Sequence, residues 1–207
     1  MHKLLLSSGI VCVSLLALMA AVMVVSAALS PPTAAVAGID DCILPCWNRI
    51  HPGITALAEA EDLLAQVGYQ VEGRYPKQGF VLLRPVTQSE VTCSVSLAYV
   101  SRRVTGIGLS ECGTIRFGDM VGLMGRPDGL LPSATALAFR EGRVVVTLNT
   151  SNCDVWYGLQ TPIDFIRLQD SLEGYTTSLV EPLRWRGFLR RERYEQLEPS
   201  MAFCGRS

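Results

Sequence analysis

The stretch from Asp40 to Ile54, DDCILPCWNRIHPGI, gathers the residue types that most often carry chemistry. It holds Cys42 and Cys46 beside Trp47, and it contains His51, the only histidine after the N-terminal hydrophobic segment. Two neighbouring cysteines can exchange thiols and disulfides, and a histidine can act as a general base. This stretch is therefore the first place to look for an active site.

A thiol–disulfide enzyme is one interpretation of Cys42 and Cys46. Its usual motif separates the two cysteines by two residues, whereas three residues separate these. The pair also does not lie between a predicted strand and a predicted helix. A structural disulfide is therefore the favoured interpretation, and redox chemistry at this pair is the alternative. Without a Cys-x2-Cys motif or a histidine pair, no zinc site is expected.

Other catalytic classes lack their residue sets. A serine hydrolase is not expected, because the chain that contains His51 has no Gly-x-Ser-x-Gly motif. A catalytic carboxylate pair is not expected either, because Asp40-Asp41 lie at the edge of the domain. Glu59 and Glu61-Asp62 fit the solvated face of a helix. Gly106-Ile107-Gly108 lies inside a predicted strand, where it indicates a bulge or a close packing site rather than a phosphate loop. We therefore expect no enzyme and no cofactor.

Composition and charge narrow the classes of partner. The chain has 207 residues, 49% of them hydrophobic and 18% charged, which permits a packed core. The formal net charge is -1, and after Lys3 is set aside 17 basic minus 19 acidic residues give -2 from Gly38 onward. This balance predicts no nucleic-acid partner. The roughly 170 residues after the leader are enough for one ordinary domain or two very small ones.

The N-terminus is typical of an exported protein. Lys3 precedes an uncharged apolar run from Leu4 to Leu29, and Ala35-Val36-Ala37 fits the small-x-small pattern of a cleavage site before Gly38. Val25-Ser26-Ala27 is a second candidate. The apolar run is also long enough to span a bilayer as a retained anchor. Both outcomes stay open, and both place Gly38 onward outside the cytoplasm, secreted or anchored to the cytoplasmic membrane by residues 4–29.

The cysteines that follow the leader predict a disulfide framework, because their number is even and the chain is predicted to be exported. Val91 to Tyr99 and Val104 to Leu109 are predicted strands joined by a turn centred between Arg102 and Arg103. Facing residue numbers then sum to 205, which places Cys93 opposite Cys112 with Cβ atoms about 4.5–5.5 Å apart. For the remaining four we favour Cys42–Cys46 and Cys153–Cys204, and crossed pairings stay open.

The predicted elements occur in one order twice. Thr55 to Val67 is an amphipathic helix with Thr55 as its N-cap, and Gly68 ends it. Phe80 to Arg84 and the two strands around Arg102 follow. A second, shorter helix begins at Gly118 or Asp119 and ends by Gly125 and Pro127. A hairpin of Thr135–Phe139 and Val144–Leu148 and a strand at Pro162–Leu168 complete the second set.

These two helix openers carry a resemblance. The stretch Gly118 to Pro127, GDMVGLMGRP, and more loosely Gly53 to Gly68, resemble the helix-plus-sheet modules of the BamE-like outer-membrane lipoproteins and of the β-lactamase inhibitor protein family, where two modules lie in tandem. The Cys-x2-Pro-Cys-Trp segment is similar to uncharacterised exported bacterial proteins. The first resemblance implies a protein-binding or scaffolding module of the cell envelope. The chain departs from it in its cysteines and in lacking a lipid-attachment cysteine.

The segment Leu183 to Tyr194, LRWRGFLRRERY, mixes arginines with aromatic residues. Such a mixture can hold anionic lipid head groups or an acidic partner. The favoured interpretation is a tail whose aromatic rings cap the sheet while its arginines stay in solvent. The candidate interaction surface consists of Arg184, Trp185, Arg186, Phe188, Arg190, Arg191 and Arg193.

Together these patterns predict an α+β fold of two small helix-plus-antiparallel-sheet modules in tandem, stapled by disulfides. The predicted organisation is a leader over residues 1–37, modules over 38–112 and 113–170, and a C-terminal arm over 171–207. The predicted function is non-enzymatic binding or scaffolding outside the cytoplasm, with an unidentified envelope protein or ligand as partner.

Overall fold

The computed structural model separates the chain into two compact units, residues 1–32 and residues 33–207. In the described part of the chain, no helix is long and apolar enough to cross a membrane. All helices and strands given below belong to the second unit. The structure describes residues 15, 18–21, 38–39, 46–87, 93–112, 115–131, 136–149, 158–170, 183–185 and 187.

The described part of the second unit is mostly β structure. Its strands form one antiparallel sheet in the order β1-β2-β3-β4-β8-β7-β6-β5-β9. The elements are α1 (Leu57–Gln66), β1 (Tyr69–Tyr75), β2 (Phe80–Pro85), β3 (Ser94–Val100), β4 (Arg103–Ser110), α2 (Phe117–Met124), β5 (Gly129–Leu130), β6 (Ala136–Phe139), β7 (Val144–Leu148), β8 (Ile163–Gln169) and β9 (Leu183–Arg184).

One face of the sheet and both helices share a single core. Successive strand residues point to opposite faces, so every second residue of each strand lies on the core side. Leu97 pairs with Ile107, and Ile107 pairs with Leu168, so the apolar positions stay aligned across three strands. The helices contribute Ala60, Leu64, Phe117, Met120 and Met124 to the same cluster.

The first helix starts later than the sequence predicts. Thr55 is not its N-cap, because the Thr55 Oγ1 accepts a hydrogen bond from the backbone N–H of His51 at 2.9 Å. The helix begins at Leu57 with Ala56 in the capping position and without a side-chain cap. Its predicted end is confirmed: Gly68 has a φ of 89°, and its N–H bonds to the Ala65 carbonyl.

Strand β1 is absent from the sequence prediction, which gives three strands after the first helix where the structure has four. It is an edge strand of the sheet, and most of its residues are exposed, so it carries little hydrophobic alternation. Arg74 pairs with Glu61 of α1, and Glu72 pairs with Arg84 of β2. A bulge between Val71 and Gly73 and these charges leave a poor template for a further strand.

The hairpin of β3 and β4 is confirmed, but its predicted register is wrong. Val100 and Arg103 form the last pair, and the two residues between them, Ser101 and Arg102, have φ values of 51° and 62°. This is a two-residue turn of the type that matches strand twist. Its centre lies one residue before the predicted one, and a bulge at Thr105 shifts the remaining pairs part of the way back towards the predicted register.

The second half follows the predicted order closely. Helix α2 begins at Phe117, one residue before the predicted start, and Gly125 follows its last residue with a φ of 80°. The predicted hairpin appears as β6 and β7, and the last predicted strand appears as β8. The prediction had no counterpart to the short strands β5 and β9.

Local geometry recurs between the two halves. The Leu57 N–H bonds to the Arg102 carbonyl at 2.8 Å, and the Phe117 N–H bonds to the Thr161 carbonyl at 2.9 Å. The β3–β4 ladder skips Thr105, and the β7–β8 ladder skips Asp164. Isolated bridges precede both helices, between Ala56 and Arg103 and between Arg116 and Pro162.

Candidate functional site

A disulfide joins the chain segments that flank β3 and β4. Cys93 and Cys112 are bonded, their Cα atoms are 4.2 Å apart, and both are buried. The predicted bridge is therefore confirmed, although Ser94 pairs with Ser110 and the two cysteines lie beyond the end of the ladder, out of direct register. The Ser94 hydroxyl donates a hydrogen bond to the Glu111 carboxylate at 2.5 Å beside the bridge.

Trp47 packs in the core. Its indole is buried and meets the ring of Tyr69 edge-on, with ring centroids 5.9 Å apart. Burial raises the pKa of the Tyr69 phenol, while a hydrogen bond from the backbone of Cys93 acts in the opposite direction. The opening stretch, the edge strand and the disulfide therefore meet at one point of the core.

Cys46 is disulfide-bonded and fully buried. A thiol that attacks a substrate disulfide must be partly exposed and stabilised as a thiolate, so this environment is that of a structural cysteine. The predicted pairings Cys42–Cys46 and Cys153–Cys204 involve Cys42, Cys153 and Cys204, which lie outside the described residues.

His51 is half-buried and directly precedes the turn of residues 52–54. Its carbonyl accepts hydrogen bonds from the N–H groups of Ile54 and Thr55, and its own N–H bonds to Thr55 Oγ1. Within the described ranges, no group of three or more His, Cys, Asp and Glu side chains could hold a metal ion. The geometry around His51 is that of a turn that leads into α1.

The predicted close packing is confirmed at Gly108. A Cβ on Gly108 would lie 2.6 Å from the Phe165 ring and would also overlap the Ser96 hydroxyl. A Cβ on Gly106 would make only ordinary van der Waals contacts, with the guanidinium of Arg167 at 3.9 Å. The bulky side chains of β8 therefore cover the glycines of β4 on the sheet face that is opposite to the core.

This second face differs between the two ends of the sheet. At the β6–β7 end it is closed: Val145 is fully buried and Ala138 is 3% exposed. At the β1–β3 end it stays half-exposed, and Tyr75 stacks on Phe80 with ring centroids 4.5 Å apart and remains 41% exposed. We call this face, from β1 to its border with β8, the open face; it consists of the half-exposed or exposed residues Tyr75, Phe80, Leu82, Ser96, Ala98, Phe165 and Arg167 and of the buried glycines Gly106 and Gly108.

In the open face, small residues lie between aromatic side chains. Cross-strand pairing aligns Leu82, Ser96, Gly108 and Arg167 in one continuous row. Such a surface offers apolar area and, at its small residues, room close to the backbone. Its side chains include no ionised nucleophile and no acid–base pair. The sequence signal was the alternation of Ser and Ala with Val and Leu in β3, which places small residues on the face away from the core.

The C-terminal segment departs from the predicted surface at Trp185. Its indole is only 5% exposed and meets the Phe117 ring edge-on, with centroids 5.8 Å apart. Its carbonyl accepts a hydrogen bond from Arg126. Trp185 is therefore a packing residue, as the capping interpretation expected. The backbone of Arg184 lies in β9, and Arg186, Phe188, Arg190, Arg191 and Arg193 lie outside the described residues.

Comparison with known protein families, characterised proteins and solved structures finds no match to this chain.

Proposed function

We propose that the chain is a non-enzymatic binding or scaffolding domain that works outside the cytoplasm, and that its partner is a protein that contacts the open face. The observation that carries this proposal is the difference between the two ends of the outer sheet face. At the β6–β7 end this face is buried, including Val145, whereas Tyr75, Phe80 and Leu82 at the other end keep accessible apolar surface. Accessible aromatic side chains are common at protein interfaces.

The proposal includes a tandem arrangement of two modules. Support comes from the recurrence of one helix and four strands, of the bulges at Thr105 and Asp164, and of the hydrogen bonds that hold each helix start. In this arrangement β4 and β8 are the equivalent last strands of the two modules, paired antiparallel about Gly108 and Arg167. Tandem helix-plus-sheet modules agree with the envelope-protein resemblance of the sequence.

A location outside the cytoplasm is supported by the disulfides. The bond between Cys93 and Cys112 is buried, and Cys46 is bonded as well. Such bridges persist in oxidising compartments and are rare in the cytosol. The same burial argues against the alternative of a thiol–disulfide enzyme at Cys42 and Cys46, because a substrate disulfide needs access to the attacking sulfur.

Site-specific photo-crosslinking in intact cells tests the binding proposal. A photoreactive phenylalanine analogue replaces Leu82 on the open face, and the matched control carries it at Ala65, an exposed position of α1. We expect one discrete crosslinked protein from the Leu82 position and none from Ala65. Equal labelling at both positions, or no adduct at Leu82, contradicts a partner on the open face.

A further inference from the structure

Two exposed aliphatic side chains lie at one end of the sheet, on either side of Arg103. Val100 is the last residue of β3 and is 65% exposed, and Ile54 lies in the turn before α1 and is 69% exposed. Arg103 pairs with Val100 across the β3–β4 turn, and its guanidinium donates a hydrogen bond to the Ile54 carbonyl at 2.5 Å. A bridge between Ala56 and Arg103 holds the two segments side by side. The two aliphatic residues therefore belong to one surface.

The β1–β2 turn reaches the same end of the sheet. The backbone N–H of Tyr99 donates a hydrogen bond to the Gly79 carbonyl at 2.7 Å, which places this turn beside the end of β3. The three segments that meet here are residues 51–56, 76–79 and 100–103, and they contain Lys77, Arg102 and Arg103 but no aspartate or glutamate. We call this surface the basic tip; it consists of Ile54, Lys77, Val100, Arg102 and Arg103.

The basic tip carries an excess of positive charge. In the part of the chain that the structure describes, the ion pairs join Arg74 with Glu61 and Arg84 with Glu72, so they involve none of the three cations of the tip. Two acidic residues border the tip. Glu59 lies in the first turn of α1, and a Cβ on Gly53 would lie 3.1 Å from Oδ2 of Asp170. Three cations and two bordering carboxylates leave the surface suited to an anionic partner.

We propose that the basic tip docks on the surface of an anionic lipid membrane. Ile54 and Val100 enter the region of the head groups, and Lys77, Arg102 and Arg103 contact the lipid phosphates. Apolar burial and attraction between cations and anionic lipids add up in such binding. The basic tip is separate from the open face, so the inference goes beyond the protein partner proposed above and does not depend on it.

The composition of the tip favours a membrane over a protein partner. Residues that dominate protein interfaces are enriched in tryptophan, tyrosine and arginine, whereas valine is under-represented. The aromatic residues near this end of the sheet, Tyr75 and Phe80, belong to the open face, and the tip offers aliphatic side chains between cations. A second pair of exposed valines, Val67 and Val86, lacks this combination, because the nearby Arg84 is paired with Glu72.

The test uses the full chain, expressed with export and purified in the form that the cell produces. An environment-sensitive fluorescent amino acid replaces Val100, and the matched control carries it at Val67, which is 54% exposed. Vesicles contain phosphatidylcholine alone or phosphatidylcholine mixed with phosphatidylglycerol. We expect the emission of the Val100 probe to shift to the blue with the anionic vesicles only, and to shift back when salt is added. The Val67 probe should emit alike with both vesicles.

Substitutions in the protein labelled at Val100 identify the groups that bind. Arg102→Gln should raise the anionic lipid concentration at half-maximal response by about fivefold, because one cation near the surface is lost. Ile54→Ser should raise it by about tenfold, because an inserted aliphatic side chain is lost. The control Val86→Ser, at a position that is 62% exposed, should leave it unchanged.

Three results would overturn the proposal: a Val100 probe that responds to neither vesicle, one that responds equally to both, and a response that Arg102→Gln leaves unchanged. The first of these would point to a protein as the partner of the tip. The probe reports its own surroundings, so the result does not depend on whether residues 4–29 stay on the chain. Crosslinking at Leu82 does not involve the basic tip, so this proposal and the proposed function fail independently.

Discussion

The ring of Phe165 lies over the backbone of Gly108 on the neighbouring strand, at the centre of the sheet. The two residues belong to β8 and β4, and a Cβ on Gly108 would come within 2.6 Å of the ring. Strand β4 therefore has a glycine at the position where β8 carries a large aromatic side chain. This complementarity fixes how the two halves of the sheet meet, and it defines one wall of the open face.

Gly108→Ala should destabilise the fold, because the new methyl group overlaps both the Phe165 ring and the Ser96 hydroxyl. Overpacking of this kind costs about 1–3 kcal/mol, measured as the free energy of unfolding in urea. The double variant Gly108→Ala/Phe165→Ala removes the ring and should recover part of the loss. If the double variant loses as much unfolding free energy as Gly108→Ala and Phe165→Ala lose together, the contact does not limit the packing.

Removal of the bridge between Cys93 and Cys112 should cost about 2–4 kcal/mol of unfolding free energy. The double variant Cys93→Ser/Cys112→Ser avoids a free thiol that could form mixed disulfides. Circular dichroism during thermal unfolding measures the loss. The control is the wild-type protein at the same pH with its bridges intact, and an unchanged midpoint would contradict a structural role for this bridge.

The Tyr69 phenol should make stability depend on alkaline pH. Its ordinary pKa is 10.0, and burial raises the pKa in the folded chain. Below pH 10 both states keep the proton and the full stability is present. Above pH 10 the unfolded chain releases its proton first, so stability falls until the folded phenol also ionises. Urea midpoints taken across this range should decline as the pH rises.

Tyr69→Phe is the matched variant for this pH effect. It removes the ionisable group and the hydrogen bond from the Cys93 backbone, so stability near neutral pH should fall by about 0.5–1.5 kcal/mol. The contribution of this phenol to the alkaline decline should disappear. An identical decline in both proteins would show that other groups cause it.

Trp185→Ala should be strongly destabilising, because the indole is buried against Phe117. Truncation of a large buried aromatic side chain costs about 3–5 kcal/mol of unfolding free energy. The sequence alternative of an exposed interaction residue predicts almost no loss. A chemical denaturation curve therefore distinguishes a packing residue from a surface residue, and Leu159→Ala, at an exposed apolar position, serves as the control.

The sequence was most informative where hydrophobic alternation and turn residues agree. Hydrophobic alternation predicts the β3–β4 and β6–β7 hairpins. The proximity of Cys93 and Cys112 across the β3–β4 hairpin predicts the disulfide. The prediction of three strands per helix missed β1, because an edge strand such as Tyr69–Tyr75 is exposed on most positions and shows no clear period. The register error arose at the turn, which lies at Ser101 and Arg102 instead of Arg102 and Arg103, and the bulge at Thr105, which has no distinct signal in one sequence, reduces it.

The candidate site was only partly visible in the sequence. The small residues of β3 and the glycines of β4 indicated close packing, but which strand would cover them depends on the pairing of β4 with β8. That pairing joins residues far apart in the chain, so no local pattern encodes it. Thr55 shows the same limit in a helix: its hydroxyl prefers a nearby turn, and the cap position passes to Ala56.

The pairing of Gly108 with Arg167 closes the sheet across a long stretch of chain. The β3–β4 and β6–β7 hairpins need only short loops, so they can form early, whereas the β4–β8 pairing joins residues far apart in the chain and is expected to form later. Folding is therefore expected to have its slow step at the centre of the sheet and not at its edges.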